Sequence, residues 1–234
     1  MRTLVFDTPA EASQKAFELV RESLENGSTT FGLATGSTPE KLYELIVASD
    51  LDFSQASSIN LDEYYGLTKQ DPQSYAYFMK KHLISHKPFK NVYIPDGEAQ
   101  DIDAELARYD KIIEENPIDL QILGIGNNGH IGFNEPPADF NGRTQFIDLD
   151  QSTIEANARL FDSIDEVPTK ALTMGIKSIM DSKKIILMAF GEEKARAVQK
   201  LIEGPVDPMV PASVLQNHPD VVVLLDKASA QFLA

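Results

Sequence analysis

Two periodicities of apolar and polar positions take turns along the chain. Short apolar runs bounded by glycine, proline or aspartate read as strands at 3–6, 30–34, 58–61, 91–94, 120–125, 184–190 and 221–225. Between them, apolar residues recur three and four positions apart. Ala12, Ala16, Leu19, Val20 and Leu24 form one helical stripe, and Ile102, Leu106, Tyr109 and Ile113 form another. Thr8-Pro-Ala-Glu11 ahead of the first stripe is a capping box with proline at the first helical position, and Gly27 stops that helix. Further helices are predicted over about 39–49, from Asp71-Pro72 to near His86, around 152–161, from Gly191 to about Ile202, and briefly after Asp226.

Regular strand–helix alternation implies an α/β fold with a mostly parallel sheet and helices on both faces, joined by right-handed crossovers. No internal repeat, low-complexity tract or linker interrupts the 234 residues, so a single domain over 1–234 is expected. Segment 136–175 breaks the rhythm and has the weakest strand pattern. It reads as an insertion over the C-terminal edge of the sheet, a lid-like element.

Charge and composition narrow the function. The formal net charge is −15, which argues against nucleic acid or an anionic membrane as partner. A small anionic ligand remains compatible, because local N–H groups can bind one phosphate against an unfavourable global field. The absence of cysteine rules out disulfides, thiolate catalysis and cysteine-based metal sites. Asp7, Glu11 and Glu18 interrupt any signal-peptide pattern, and no uncharged run approaches the ~20 apolar residues of a membrane span. A cytoplasmic setting is the default expectation.

Candidate chemistry clusters just past the strands. The stretch Gly124-Ile-Gly-Asn-Asn-Gly-His-Ile-Gly-Phe-Asn-Glu135 holds four glycines, three asparagines, one histidine and one carboxylate. Its start matches G-x-G-x-x-G, but that dinucleotide fingerprint needs the third glycine to open a helix. Here His130, Gly132 and then Pro136-Pro137 follow, so an irregular loop is expected at a strand's C-terminal end, where open α/β sheets bind ligands. His130 can shuttle a proton near neutral pH, and Glu135 can fix its tautomer. A metal is not expected, since no second histidine lies nearby.

Ala34-Thr-Gly-Ser-Thr-Pro-Glu-Lys41 reads as a strand end, a turn at Gly36, and a helix capped by Thr38 with Pro39 in its first position. Such a turn suits a phosphate; it is equally an ordinary capped β–α turn. Lys194 in Gly191-Glu-Glu-Lys194 stands in the first turn of a helix, where a cation opposes the macrodipole. Either Glu192 and Glu193 compensate it, or it meets a phosphate. In Asn60-Leu-Asp62-Glu63-Tyr64 one carboxylate can act as a general base, and alternation does not say which of Asp62 and Glu63 faces a site. His82, His86 and His218 read as structural.

Taken together, Ala34-Thr-Gly-Ser-Thr-Pro39, Asn60-Leu-Asp-Glu-Tyr64, the 124–136 run, Arg159 before Phe161, Gly-Glu-Glu-Lys194 and Ser213-Val-Leu-Gln-Asn-His-Pro219 resemble the glucosamine-6-phosphate deaminase (isomerase) family over essentially the whole chain. The resemblance implies a Rossmann-like fold shared with 6-phosphogluconolactonases. It implies conversion of D-glucosamine 6-phosphate and water to D-fructose 6-phosphate and ammonium, without metal or organic cofactor. By this similarity His130, oriented by Glu135, opens the pyranose ring, and Asn128 occupies the ring-opening relay position. Asp62 would move a proton between C2 and C1. Gly36, Ser37, Thr38, Arg159 and Lys194 would hold the phosphate.

Two departures from the family's allosteric branch matter. Asn128 stands where that branch has aspartate. Segment 138–147 also lacks the serines and basic residues with which that branch binds its activator. A non-allosteric, monomeric enzyme is therefore expected. Two other readings compete. A 6-phosphogluconolactonase would typically carry arginine after Asp-Glu and lack the Phe-Asn-Glu ending at Glu135. A sugar-phosphate-sensing domain of a repressor would need a DNA-binding segment.

Overall fold

The computed structural model describes residues 1–234. Seven strands form the main sheet: β1 (Arg2–Phe6), β2 (Thr30–Leu33), β3 (Ser57–Asn60), β5 (Asn91–Tyr93), β6 (Leu120–Leu123), β9 (Lys184–Ala189) and β10 (Val221–Asp226). Their spatial order is β1-β10-β9-β6-β2-β3-β5, and every neighbouring pair is parallel. The central strands β2, β3 and β6 are buried at every position, as strands must be when helices cover both faces of a parallel sheet. The helices are α1 (Pro9–Glu25), α2 (Ser37–Ala48), α3 (Tyr75–Met79), α4 (Ile102–Glu115), α5 (Gln151–Asn157), α6 (Ile176–Met180) and α7 (Ala195–Glu203). The Thr8 capping box forms as its sequence dictates: Thr8 N donates to Glu11 and Glu11 N donates to Thr8 Oγ1. No helix is long and apolar enough to cross a membrane.

From β2 the chain steps outward to β3 and β5; from β6, β2's other neighbour, it works outward to β9 and β10. The connections after β2 and β6 thus diverge, opening a crevice at the C-terminal ends of adjacent strands. This is the switch point at which such sheets bind ligands.

A second sheet lies at that edge. Strands β4 (Asp62–Tyr64), β8 (Lys170–Thr173) and β7 (Gln145–Asp148) are antiparallel, with β8 in the middle. Segment 136–175 is therefore more ordered than its pattern implied. It supplies two strands and α5, and seats them on a small core of Tyr64, Phe133, Leu149, Ile154, Val167 and Ala171. The main core of 46 buried residues lies separately, around the parallel sheet.

Three local expectations need correction. The second helix begins at Ser37 with Gly36 as N-cap, so Thr38 is not the cap and Pro39 is the third helical residue. Gly36 takes φ 95°, a conformation that glycine adopts readily, and opens the helix there. Asp71-Pro72 forms a turn, and α3 starts only at Tyr75, where Ser74 accepts a hydrogen bond from Tyr77 N. That helix continues into a π-turn over Lys80–Ile84. After Asp226 the chain makes successive turns rather than a helix: the Asp226 carboxylate accepts from Ser229 N and from Gly191 N, tying the end of β10 to the loop after β9.

Candidate active site

At the switch point a cavity of about 610 Å³ is lined by the ends of β2, β3, β6 and β9 and covered on one side by α5. That size falls in the range of roughly 300–1,000 Å³ usual for small-molecule sites. Gly36, Ser37, Thr38, Asp62, Asn128, His130, Arg159 and Lys194 all line it. Glu135 is not in the wall; it stands behind His130 and touches it.

One end of the cavity is built for an anion. Gly36, Ser37 and Thr38 bring the N-terminus of α2 to it with no side chain capping the helix, leaving first-turn N–H groups unpaired. Gly191, at φ 90°, turns the chain after β9 so that Lys194 enters the same space. Burial pulls the Lys194 ammonium below its ordinary range; Glu193 opposes this, and the neighbouring Arg159 guanidinium adds to it. Neither Lys194 nor Arg159 forms an ion pair with a carboxylate. Two cations without a salt-bridged carboxylate stand beside a bare helix N-terminus, with Glu193 also in the wall, an arrangement whose chemistry suits a multiply charged oxyanion.

Asp62 projects into the cavity from the first position of β4, opposite Thr173 of β8. It is 6% exposed and receives no hydrogen bond from the protein. Burial, reinforced by the charge of Glu63, pushes its carboxyl up to about 8. The ambiguity between the two carboxylates is thereby resolved. Glu63 accepts hydrogen bonds from Tyr64 N (2.8 Å), Tyr75 N (2.9 Å) and Ala76 N (2.8 Å), which fastens α3 to β4. Burial pushes Glu63 up to about 7 against the pull of these three amides.

His130 and Glu135 meet across the glycine-rich loop, His130 Nδ1 lying 3.1 Å from Glu135 Oε2. Asn128 braces both: its Nδ2 donates to Glu135 Oε2 at 2.7 Å, and its Oδ1 accepts from His130 N at 3.1 Å. Burial alone would raise the Glu135 carboxyl, but hydrogen bonds and charge from His130, with hydrogen bonds from Thr153 and Asn128, hold it below its usual range. Glu135 is therefore a carboxylate at neutral pH. The pairing assigns the Nδ1 proton to that bond and leaves Nε2 for a ligand. Gly132, at φ 56°, brings the same loop against Asp62: a Cβ there would stand 3.6 Å from Asp62 Oδ2.

Several lining groups escaped the sequence reading. Thr153 and Asn157 reach the cavity from α5, four residues apart on one face, and Tyr75 reaches it from α3. Asn157 Nδ2 donates to Tyr64 Oη at 2.8 Å, and Thr153 Oγ1 donates to Glu135 Oε1 at 2.5 Å. Their only sequence signal was the four-residue spacing in a predicted helix, which any surface helix shares.

A switch-point cavity on a Rossmann-like sheet, with cations at one end and a buried carboxyl and a histidine–carboxylate pair beside them, has the form of an enzyme active site. The chain belongs to the glucosamine-6-phosphate isomerases/6-phosphogluconolactonase family, whose sequence model matches residues 7–224. It is 54% identical over 233 residues to glucosamine-6-phosphate deaminase of Lactobacillus delbrueckii subsp. bulgaricus, covering 100% of both chains. It is 57% identical over 230 residues to the deaminase of Lactobacillus johnsonii, covering 98% of this chain and 96% of that protein. The solved structure of a monomeric glucosamine-6-phosphate deaminase superposes with a TM-score of 0.96 at 42% identity, over 99% of each chain. A 6-phosphogluconolactonase from Trypanosoma brucei matches with a TM-score of 0.81 at 20% identity, covering 100% of this chain and 98% of that one, a likeness of fold alone.

Proposed function

We propose that the protein converts D-glucosamine 6-phosphate and water to D-fructose 6-phosphate and ammonium. The observation that carries this reading is the polarity of the cavity. Lys194, Arg159 and the α2 N-terminus define a cationic end, whereas Asp62 lies in the same cavity and the His130–Glu135 pair flanks it. An amino-sugar phosphate carries opposite charges at its two ends and matches that arrangement.

In this reading the phosphate anchors the hexose and fixes C1 and C2 near the two acid–base centres, which supplies positioning rather than reactivity. His130 accepts the proton of the C1 hydroxyl and passes one to the ring oxygen, while Glu135 stabilises the imidazolium formed between these steps. Asp62 then takes the C2 proton of the open chain and returns it to C1, while a second proton passes from the ammonium group to the C1 oxygen, converting the 2-ammonium aldose to a 1-hydroxy-2-iminium compound. Water adds at C2 and ammonium leaves. A cationic amino group beside Asp62 favours its carboxylate form, offsetting the burial that keeps it protonated in the empty cavity. The same reading makes a small sugar phosphate the partner, in the cytoplasm, and the working unit a single chain without allosteric activation.

The test is direct. Purified protein mixed with glucosamine 6-phosphate is expected to release ammonium and form fructose 6-phosphate in equal amounts. Hydrolysis of 6-phosphogluconolactone without ammonium release from the amino sugar would establish the competing activity instead. Lactone hydrolysis has no use for a C–H base, so Asp62→Asn also separates the two.

A further inference from the structure

Glu135 is held from two directions. Asn128 Nδ2 and His130 Nδ1 both engage Oε2, at 2.7 and 3.1 Å, and both belong to the loop that carries Glu135. Two donors on one oxygen do not fix the plane of a carboxylate, which can still turn about the bond that bears it. The second oxygen, Oε1, is held by Thr153 Oγ1 at 2.5 Å. Thr153 comes from α5, in the segment that covers the cavity, and is 5% exposed. Its β-branched side chain has few rotamers, and its N–H bonds Asp150 O at 3.0 Å, so the hydroxyl is itself well placed. Six residues further on, the same segment brings Arg159 to the cationic end of the cavity.

We infer that Thr153 is a positioning residue for ring opening: by gripping Oε1 it keeps Oε2 on His130, and it makes the working geometry of that pair depend on the covering segment being in place. This rests on the function proposed above. One segment thereby holds the phosphate through Arg159 and sets the acid–base pair through Thr153, so the pair is fully oriented only in a cavity whose cover is seated. Thr153 does not touch the reacting atoms; its contribution passes through Glu135 and His130.

The experiment compares Thr153→Val, which keeps the shape and removes the hydroxyl, with Thr153→Ser, which keeps the hydroxyl. In Thr153→Val, kcat for glucosamine 6-phosphate is expected to fall about 10- to 100-fold. KM, and the affinity for the open-chain hexitol 6-phosphate, which needs no ring opening, are expected to stay within about 3-fold. Thr153→Ser is expected to restore most of kcat. Wild-type kcat in Thr153→Val, equal losses in both variants, or a parallel loss of hexitol phosphate binding would each overturn the inference while leaving the deaminase reading intact. A wild-type protein that releases no ammonium would overturn that reading, and this inference with it.

Discussion

The imidazole of His130 occupies the place where a side chain on Gly126 would begin. A Cβ on residue 126 would stand 2.3 Å from ring Cε1 and 2.4 Å from Nε2, closer than any carbon can approach. Gly126 N also donates to His130 O at 2.9 Å, so the loop folds back on itself at this contact. The glycine that makes the run look like a dinucleotide fingerprint serves instead to make room for a histidine.

Gly126→Ala is therefore expected to displace the ring from Glu135 and lower kcat by about 10²-fold or more. Binding of an open-chain sugar phosphate should change little, because the anion end is formed by other elements. The global fold should also survive, since the methyl displaces a side chain beside an open cavity rather than a packed core. Steady-state kinetics and thermal melting distinguish this from general damage. A variant with normal kcat would show that the ring has room to move and that the contact does not set its position.

In the proposed reaction Asp62 sits where catalysis and stability conflict. Its carboxyl titrates near 3.9 in an unfolded chain and is raised to about 8 in the fold. Between those values the folded protein holds a proton that the unfolded chain has lost, so the wild type loses stability as pH rises from about 4 to about 8. Asp62→Asn has no such loss. It is expected to abolish turnover, to bind an unreactive sugar phosphate nearly as well as the wild type, and to melt higher. Its advantage should grow from pH ~4 to pH ~8, on the order of a few kcal/mol, and then level off. In the wild type, kcat/KM should climb with pH towards about 8 as the carboxylate forms. An advantage that does not vary with pH would place the Asp62 proton elsewhere.

The sequence made the repeating elements visible because each has a strong local cause. Strand β10 is a run of Val and Leu, α1 carries both a capping box and a stripe, and the glycines and prolines of 124–137 exclude a helix. What stayed hidden has no local cause. Strand β4 has three residues and exists because β8 pairs with it across more than a hundred positions of chain. Asp62 faces the cavity, and Glu63 faces α3, for the same reason. Thr38 looked like a cap because Ser and Thr cap helices well, but glycine at 36 opened the helix first. Thr153 is chemically ordinary until Glu135 is placed beside it.

Lys194 is half-buried with no salt-bridged carboxylate, and burial outweighs the nearby Glu193 charge, so its own charge is unfavourable in the empty cavity and is expected to be stabilised by ligand. Lys194→Met should raise KM for the sugar phosphate by one to two orders of magnitude, about 1.4 kcal/mol for each factor of ten, with a smaller effect on kcat. It should not destabilise the empty protein, since an apolar chain of similar size removes a desolvated cation. Fructose 6-phosphate should raise the melting temperature of the wild type, and raise that of Lys194→Met much less at equal concentration. Equal thermal shifts would mean that the phosphate is held elsewhere.

The covering segment is tied down from within the chain. Gln145 Nε2 donates to Asn134 Oδ1 at 2.7 Å, and Asn134 Nδ2 donates to Ile131 O and Met174 O, so β7, the glycine-rich loop and the end of β8 are fastened together. Thr153 and Asn157 add two further ties, to Glu135 and Tyr64. These ties all lie within one chain, which agrees with the single, non-allosteric working unit proposed above. Initial rates are accordingly expected to follow a hyperbola in glucosamine 6-phosphate, with no change on adding N-acetylglucosamine 6-phosphate. The active species should elute at the mass of one 25.9 kDa chain. A sigmoidal curve made hyperbolic by the N-acetylated sugar would contradict this, and would mean that the ties around Asn134 break and re-form during turnover.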